Sequence, residues 1–124
     1  VNQKMHFVKQ NGATVFKSAV KGMYEVTKII MDRNNINNKN LKLFIAHQAN
    51  KRIIDATAKK MDLKSEQVLI NINKYANTTA ASIPIAISDA YQNNMLKIGD
   101  NLILTAFGAG FTWGSCLINW GINE

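Results

Sequence analysis

The chain has 124 residues, of which 47% are hydrophobic and 19% charged, which predicts one globular domain and not two. Its net charge of +7 favours an acidic partner: a nucleic acid, an anionic membrane, a phosphorylated cofactor or an acidic protein. The charge alone does not choose among these, and it also aids solubility. Apolar runs are too short for a membrane span, and the cysteine and histidine residues are too few for a zinc site. The single Cys116 excludes an internal disulfide and favours a reducing compartment.

The first third of the chain predicts a strand, a helix and a loop. A short apolar run from Met5 to Val8 predicts the strand. After Asn11-Gly12, apolar residues recur at spacings of three and four, which predicts a long helix with one apolar stripe. That stripe comprises Val15, Ala19, Met23, Val26, Ile29 and Ile30. The asparagine-rich stretch from Asn34 to Asn40 predicts a loop.

The middle of the chain alternates between strand and helix patterns. Leu41 to Ala46 predicts a buried strand, and Asn50 then predicts the cap of a helix. Val68 to Ile72 predicts another strand from its β-branched residues. A further helix begins close to Pro84, because proline is tolerated in a first turn and costly later.

The end of the chain predicts a hairpin. Asn101 to Phe107 and Thr112 to Trp120 are predicted strands, and Gly108-Ala109-Gly110 is the turn between them. The complete order is β-α-β-α-β-α-β-β. Alternation of this kind predicts an α/β fold with a mainly parallel five-stranded sheet flanked by helices, closed by one antiparallel strand.

Three segments follow the carboxyl ends of predicted strands, where open α/β sheets place their binding sites. Each has a structural explanation when it is taken singly. A histidine at a strand end usually holds the fold together, and an asparagine before a helix is usually a cap. A glycine turn between two strands lacks the helix that a dinucleotide-binding loop needs. The segments are Ala46-His47-Gln48-Ala49-Asn50, Tyr75-Ala76-Asn77-Thr78-Thr79-Ala80-Ala81-Ser82 and Phe107-Gly108-Ala109-Gly110-Phe111-Thr112-Trp113-Gly114.

Together, the three segments resemble the β-ketoacyl-acyl-carrier-protein synthase III family in identity, order and spacing. Asn11-Gly12 and Val15-Phe16-Lys17 also resemble the segment that opens the C-terminal half of that family. The resemblance spans essentially the whole chain and implies the C-terminal half of the thiolase-like fold, with residues 1–124 as one domain. In that fold two such halves pack about a pseudo-two-fold axis, and the active site lies between them. The start at Val1 also suggests a fragment or a processed chain.

The resemblance implies that His47 and Asn77 are a catalytic pair that assists decarboxylative condensation of malonyl-acyl carrier protein. Loss of carbon dioxide leaves an enolate, whose oxygen needs donors in a dry, preorganised site. A neutral histidine Nε2–H and an asparagine amide are two such donors. The carbon nucleophile then attacks an acyl group held on a cysteine thioester.

The family's cysteine nucleophile comes from the N-terminal half, so it is not expected in this chain. Cys116 lies in a strand predicted to be core, where a thiol is usually inert. We therefore expect the complete enzyme to condense a short acyl-CoA primer with malonyl-acyl carrier protein at the start of type II fatty-acid synthesis. The fragment alone is expected to be inactive. The resemblance further implies a cytoplasmic homodimer that uses these substrates without a cofactor.

The same resemblance implies the remaining site residues. The backbone N–H at Ala109, where many family members carry glycine, would belong to an oxyanion hole, unless the position needs a positive φ. Arg52 is the leading residue for docking an acidic carrier protein, within a docking segment of Gln48, Ala49, Asn50, Lys51 and Arg52. The substrate and coenzyme A channel would be lined by Gly12, Phe16, Asn50 and Phe107.

Alternatives stay open at this point. A specialised thiolase-like synthase that makes quinolones, polyketides or long-chain ketones shares these motifs, because primer specificity depends largely on the other half. A non-catalytic module that binds acyl carrier protein is a second alternative. Nucleic-acid binding is disfavoured, because the basic residues are not interleaved with aromatic ones. An isolated half would expose the face that packs on its partner, so we expect it to associate.

Overall fold

The computed structural model describes residues 10–122, so the predicted strand from Met5 to Val8 lies outside the described residues. The helices are α1 (Gly12–Arg33), α2 (Lys51–Lys60), the short α3 (Ile72–Tyr75) and α4 (Ser82–Gln92). The strands are β1 (Leu41–Ala46), β2 (Asn101–Gly108) and β3 (Thr112–Asn119). Single turns of 3-10 helix at Ser65–Gln67 and Thr79–Ala81 precede α3 and α4.

The three strands form one sheet in the order β1-β2-β3. β1 runs parallel to β2, and β3 runs antiparallel to β2 as the second arm of the hairpin. These pairings confirm the α/β class and the terminal hairpin. In the described part of the chain, no helix is both long and apolar enough to cross a membrane.

The predicted strand from Val68 to Ile72 is wrong, and the described sheet therefore has fewer strands than the five expected. One parallel bridge joins Phe44 to Val68, and the Leu69 N–H donates to the Phe44 carbonyl at 3.1 Å. The pairing with β1 ends there. The β-branched pattern of this segment reflects packing against the core and not a full strand.

The side chain of Gln48 explains why this pairing stops. Its Oε1 accepts hydrogen bonds from the N–H groups of Asn71 at 3.0 Å and Ile72 at 3.2 Å. Its Nε2 donates to the carbonyl of Leu69 at 3.2 Å. A side chain thus satisfies backbone groups that a strand ladder would otherwise pair, and the chain turns into α3.

The core lies in two layers, one on each face of the sheet. Side chains of successive strand residues point to opposite faces, so Phe44 and Ala46 of β1 pack towards α1 and α2. Leu43 and Ile45 pack towards α4, together with Ala86 and other residues of that helix. Helices on both faces bury every residue of β1 except Lys42 and hold its carboxyl end in place.

The helix starts agree with the sequence predictions. Asn11 caps α1 by accepting the Thr14 N–H at 3.0 Å, and Asn50 caps α2 by accepting the Arg52 N–H at 2.9 Å. Pro84 is the third residue of α4, inside its first turn, where its missing N–H leaves no bond unmade. The capped N-terminal ends of α1 and α2 lie near the carboxyl end of β1, where they line one cleft with His47.

The expectation that Cys116 is buried is wrong, because its side chain is exposed on β3. Cys116 lies on the α4 side of the sheet, and α4 packs over β1 without covering this part of β3. On the opposite face, the ring of Trp113 lies over Gly22 of α1, where a Cβ would stand only 2.8 Å from the ring. Trp113 nevertheless remains 49% exposed, so β3 presents apolar surface outward.

Candidate active site

The three segments that carry the motifs meet in one cleft of about 980 Å³, and the second of them follows α3 and not a strand. His47 follows β1, Asn77 lies between α3 and α4, and the turn 108–110 joins β2 to β3. The first turns of α1 and α2 complete the walls. The predicted site residues that line the cleft are Gly12, Phe16, His47, Ala49, Asn50, Arg52, Asn77, Phe107 and Ala109.

His47 is held by its backbone and by one ring nitrogen. Its N–H donates to the Thr105 carbonyl at 2.8 Å, which extends the β1–β2 pairing by one residue. Its Nδ1 lies 2.6 Å from the Oγ of Ser82. Partial burial disfavours the imidazolium form and lowers the pKa of His47 below the ordinary 6.5. The ring is therefore neutral at physiological pH, and one nitrogen carries a proton that it can donate.

Asn77 is held through its side-chain oxygen. Oδ1 accepts the backbone N–H of Thr79 at 2.9 Å, and this bond identifies which end of the amide is the oxygen. Among the described residues the NH₂ group has no hydrogen-bond partner, and the side chain is exposed on the cleft wall. Asn77 therefore presents a fixed dipole whose positive end is available to a ligand.

The backbone around Asn77 is strained. Ala76 has φ +58° and ψ −161°, a conformation almost reserved for glycine. Thr79 has φ +51°, which is unusual for a β-branched residue. Strain of this kind persists only where surrounding contacts hold the segment in place.

Asp89 of α4 supplies such contacts to the segment before Asn77. Its Oδ2 accepts from the Asn71 amide at 2.9 Å, and its Oδ1 accepts from the Tyr75 hydroxyl at 2.8 Å. The Lys74 ammonium lies 3.5 Å from the same Oδ1. The bonds from Asn71 and Tyr75 hold the pKa of Asp89 below its ordinary 3.8. Asp89 thus fixes α3 to α4 through its charged form.

The β2–β3 turn does not require a positive φ at position 109, where the chain has alanine. Ala109 is absent from the positive-φ positions of the described chain, whereas Gly110 has φ +139°. Alanine at 109 therefore avoids the left-handed conformation that would strain it. The Ala109 carbonyl accepts the Thr112 hydroxyl at 3.0 Å, which fixes the turn at the cleft wall.

The cleft is basic and partly aromatic. Lys17 and Arg52 are its charged wall residues, and no aspartate or glutamate lies among the described residues of the wall. The Arg52 guanidinium lies over the Phe16 ring, 5.6 Å from its centroid, and Phe107 contacts Phe111 with centroids 5.0 Å apart. Such a wall suits an anionic ligand with an apolar portion.

Two members of the predicted docking segment do not line the cleft. Gln48 is 1% exposed, and its side chain makes hydrogen bonds to backbone groups inside the chain. The prediction that it contacts a docking partner is therefore wrong. Lys51 is exposed but pairs with Asp55 at 2.7 Å beside the cleft. Ala49, Asn50 and Arg52 remain both exposed and on the wall.

Sequence reasoning missed three residues of this region. Lys17 and Phe111 line the cleft, and Ser82 contacts His47 from 35 residues away. Ser82 belongs to a segment that the sequence singled out, but no local pattern identifies a partner so distant in the chain. Within residues 10–122, no group of three or more histidine, cysteine, aspartate or glutamate residues is placed to hold a metal ion.

The fold with this cleft is that of the thiolase-like condensing enzymes. The chain is similar to the solved 3-oxoacyl-[acyl-carrier-protein] synthase III of Aquifex aeolicus VF5, with a TM-score of 0.89 and 40% identity over 94% of this chain and 38% of that one. It is also similar to the β-ketoacyl-acyl-carrier-protein synthase III structure from Thermus thermophilus. There the TM-score is 0.87 and the identity 39%, over 91% of this chain and 35% of that one.

Residues 31–120 match the family model described as 3-oxoacyl-[acyl-carrier-protein (ACP)] synthase III C terminal. The β-ketoacyl-[acyl-carrier-protein] synthase III of Koribacter versatilis is 51% identical over 120 residues, 97% of this chain and 36% of that protein. The protein of the same name from Chlorobium phaeobacteroides is 48% identical with the same coverage. The chain therefore belongs to the synthase III C-terminal family, as the motifs predicted. It spans about a third of the length of the curated relatives it matches.

Proposed function

We propose that residues 1–124 are the C-terminal domain of a β-ketoacyl-acyl-carrier-protein synthase III. The complete enzyme would condense an acyl-CoA primer with malonyl-acyl carrier protein to start type II fatty-acid synthesis. Membership of the family supports this proposal. The observation that carries it is that His47 and Asn77 line the same cleft. In each residue one polar atom is engaged inside the chain, which leaves a donor for the ligand.

In the proposed reaction the acyl group is held as a thioester on a cysteine of the N-terminal half. Malonyl-acyl carrier protein loses carbon dioxide, and the electron pair of the broken bond moves onto the thioester carbonyl to form an enolate. The His47 Nε2–H and the Asn77 NH₂ donate to the enolate oxygen. The enolate carbon then attacks the acyl thioester, and the cysteine leaves as thiolate. The Ala109 N–H would stabilise the oxyanion formed in this second step.

The proposed carrier-protein docking surface is the exposed segment from Ala49 to Arg52 at the start of α2. Arg52 would contact the acidic carrier protein, with Ala49 and Asn50 beside it and Lys51 contributing to the long-range attraction. The basic charge of the cleft wall, at Lys17 and Arg52, supports an anionic partner. We further propose that Gly12, Phe16, Asn50 and Phe107 line the channel for the substrate's pantetheine arm.

We also propose that the complete enzyme is a cytoplasmic homodimer that needs no cofactor beyond its two substrates. The single cysteine of the chain supports a reducing compartment. Exposed apolar side chains on the hairpin, Phe111 at 45% and Trp113 at 49%, support packing of this surface against another domain or protomer. Sedimentation of the complete enzyme tests the dimer, and a monomer at working concentration would contradict it.

The catalytic assignment is tested by decarboxylation of malonyl-acyl carrier protein in the complete synthase. His47→Ala and Asn77→Ala should each lower the rate by at least about 100-fold, because each removes a donor to the developing oxyanion. The affinity for carrier protein should stay unchanged, since neither residue belongs to the docking surface. An unchanged decarboxylation rate in either variant removes that residue from the proposed mechanism.

The docking assignment is tested by a charge reversal with a matched control. Arg52→Glu should raise the KM for malonyl-acyl carrier protein, and the difference from wild type should shrink as salt is added. Lys59→Glu makes the same charge change on the same helix, at an exposed position outside the cleft wall. Equal effects of the two substitutions would mean that only net charge matters and that Arg52 is not a specific contact.

A further inference from the structure

The hydroxyl of Ser82 is buried between two groups of the β1–α2 connection. Ser82 is 2% exposed and is the first residue of α4. Its Oγ lies 2.6 Å from Nδ1 of His47 and 3.2 Å from the backbone nitrogen of Gln48. These are its hydrogen-bond partners in the described part of the chain.

Counting donors and acceptors around this oxygen assigns the proton on the His47 ring. The Gln48 N–H can only donate, so it occupies a lone pair of Oγ. If Nδ1 also donated, the Ser82 hydroxyl proton would be buried without an acceptor, which is unfavourable. If Nδ1 accepts instead, all three groups are satisfied. The neutral ring then carries its proton on Nε2.

We propose that Ser82 is a positioning residue whose hydroxyl donates to Nδ1 and holds His47 in the Nε2–H tautomer. This inference rests on the proposed function, in which Nε2–H donates to the enolate oxygen. The opposite tautomer would present a lone pair to that oxygen and would repel it. Ser82 thus acts on the reaction through His47 and does not itself touch the substrate.

The surroundings of Ser82 strengthen its role as a donor. The hydrogen bond from the Gln48 N–H polarises the Ser82 hydroxyl and makes its proton a better donor. The N-terminal end of α4, where Ser82 lies, disfavours a positive charge on the neighbouring ring. Burial acts in the same direction by lowering the pKa of His47.

The same short segment therefore places both members of the catalytic pair. Asn77 carries one donor, and Ser82, five residues later, orients the other donor on a different element. The 3-10 turn Thr79–Ala81 fixes the spacing between them. A change in this turn would move the Asn77 amide and the His47 tautomer together.

The test measures the tautomer directly, in the complete synthase with ¹⁵N-labelled histidine. The signals of His47 are assigned by their absence from the spectrum of His47→Gln. Near neutral pH, these signals in the wild type should show an unprotonated Nδ1 and a protonated Nε2. In Ser82→Ala the Nδ1–H tautomer should become populated. The decarboxylation kcat should fall roughly tenfold to a hundredfold, with the KM for malonyl-acyl carrier protein changed less than about twofold.

Two further variants separate positioning from a structural effect. Ser82→Thr keeps a hydroxyl and should restore the Nε2–H tautomer and most of kcat, whereas Ser88→Ala, an exposed serine of the same helix, should change neither. A protonated Nδ1 in the wild type overturns the proposal, and so does an unchanged tautomer in Ser82→Ala. The wild-type measurement needs no variant to fold. It is also independent of turnover, so a failed His47→Ala rate test contradicts the proposed function without deciding the tautomer.

Discussion

The side-chain oxygen of Asn77, a residue of the cleft wall, accepts the backbone N–H of Thr79 at 2.9 Å, and its amide NH₂ makes no hydrogen bond within residues 10–122. One side chain thus closes a local turn with its acceptor and offers a ligand its donor. The two roles can be separated, because aspartate has the acceptor and lacks the donor.

We predict that Asn77→Asp keeps the fold and loses the chemistry. The carboxylate can still accept the Thr79 N–H, so the free energy of unfolding in urea should change by less than about 0.5 kcal/mol. Malonyl decarboxylation should fall by at least about 100-fold, because a negative charge replaces a donor next to the enolate oxygen. Asn77→Ala, which loses both groups, should be less stable than Asn77→Asp. A variant with Asp at 77 that still decarboxylates at the wild-type rate would show that the amide donor is unnecessary.

We predict that a substitution at Ala76, the residue before Asn77, stabilises the fold. Its φ of +58° with ψ of −161° is costly for alanine and free for glycine. Ala76→Gly should therefore raise the free energy of unfolding by about 1 kcal/mol, as measured by urea denaturation. Ala80→Gly is the control: Ala80 is not a positive-φ position, so glycine there should lower stability by about 0.5–1 kcal/mol. Equal losses in the two variants would rule out strain at Ala76.

Much of the fold follows from the sequence because its signals are local. The apolar periodicity predicts α1, Asn50 marks where α2 begins, and Pro84 marks the start of α4. The prediction of a strand at 68–72 fails for a non-local reason. The side chain of Gln48 accepts hydrogen bonds from backbone N–H groups that would otherwise pair with a neighbouring strand. The prediction that Cys116 is buried fails because burial of β3 depends on which helix covers it. The composition of a strand does not show which helix will do so.

The site residues likewise divide into those that local sequence motifs identify and those that depend on distant partners. Its motifs identify His47, Asn77 and the hairpin turn, because residue type and order carry the family resemblance. Ser82 and Asp89 act through partners 35 and up to 18 residues away, and no spacing rule links such positions. Gln48 shows the converse: it stands inside a recognisable motif, yet its contacts are with the core.

We predict that replacing Asp89 lowers stability more than replacing an exposed surface carboxylate. Asp89→Asn keeps the shape but replaces a charged acceptor of the Asn71 and Tyr75 bonds with a neutral one. The free energy of unfolding should fall by about 1–2 kcal/mol, because hydrogen bonds to a charged group are stronger. Asp55→Asn, in an exposed pair with Lys51, should cost less than about 0.5 kcal/mol. If the two losses are equal in urea denaturation, Asp89 does not anchor α3.

His47 predicts how stability depends on pH. Its pKa in the folded chain lies below the ordinary 6.5 that the unfolded chain has. As the pH falls through 6.5, the unfolded chain binds a proton at this position and the folded chain does not, so the free energy of unfolding decreases. The decrease ends once the pH lies below the folded pKa. The stabilisation is therefore present above the unfolded pKa and lost in acid.

The His47→Gln variant isolates this contribution. The difference in free energy of unfolding between wild type and His47→Gln, measured in urea at steps from about pH 7 to about pH 5, should shift against the wild type as the pH falls. The variant cannot take up the proton at this position, and all other groups are shared, so their effects cancel in the difference. A difference that stays constant, or that favours the wild type in acid, would mean that burial does not hold the His47 ring neutral. The neutral donor assigned to the cleft would then lose its physical basis.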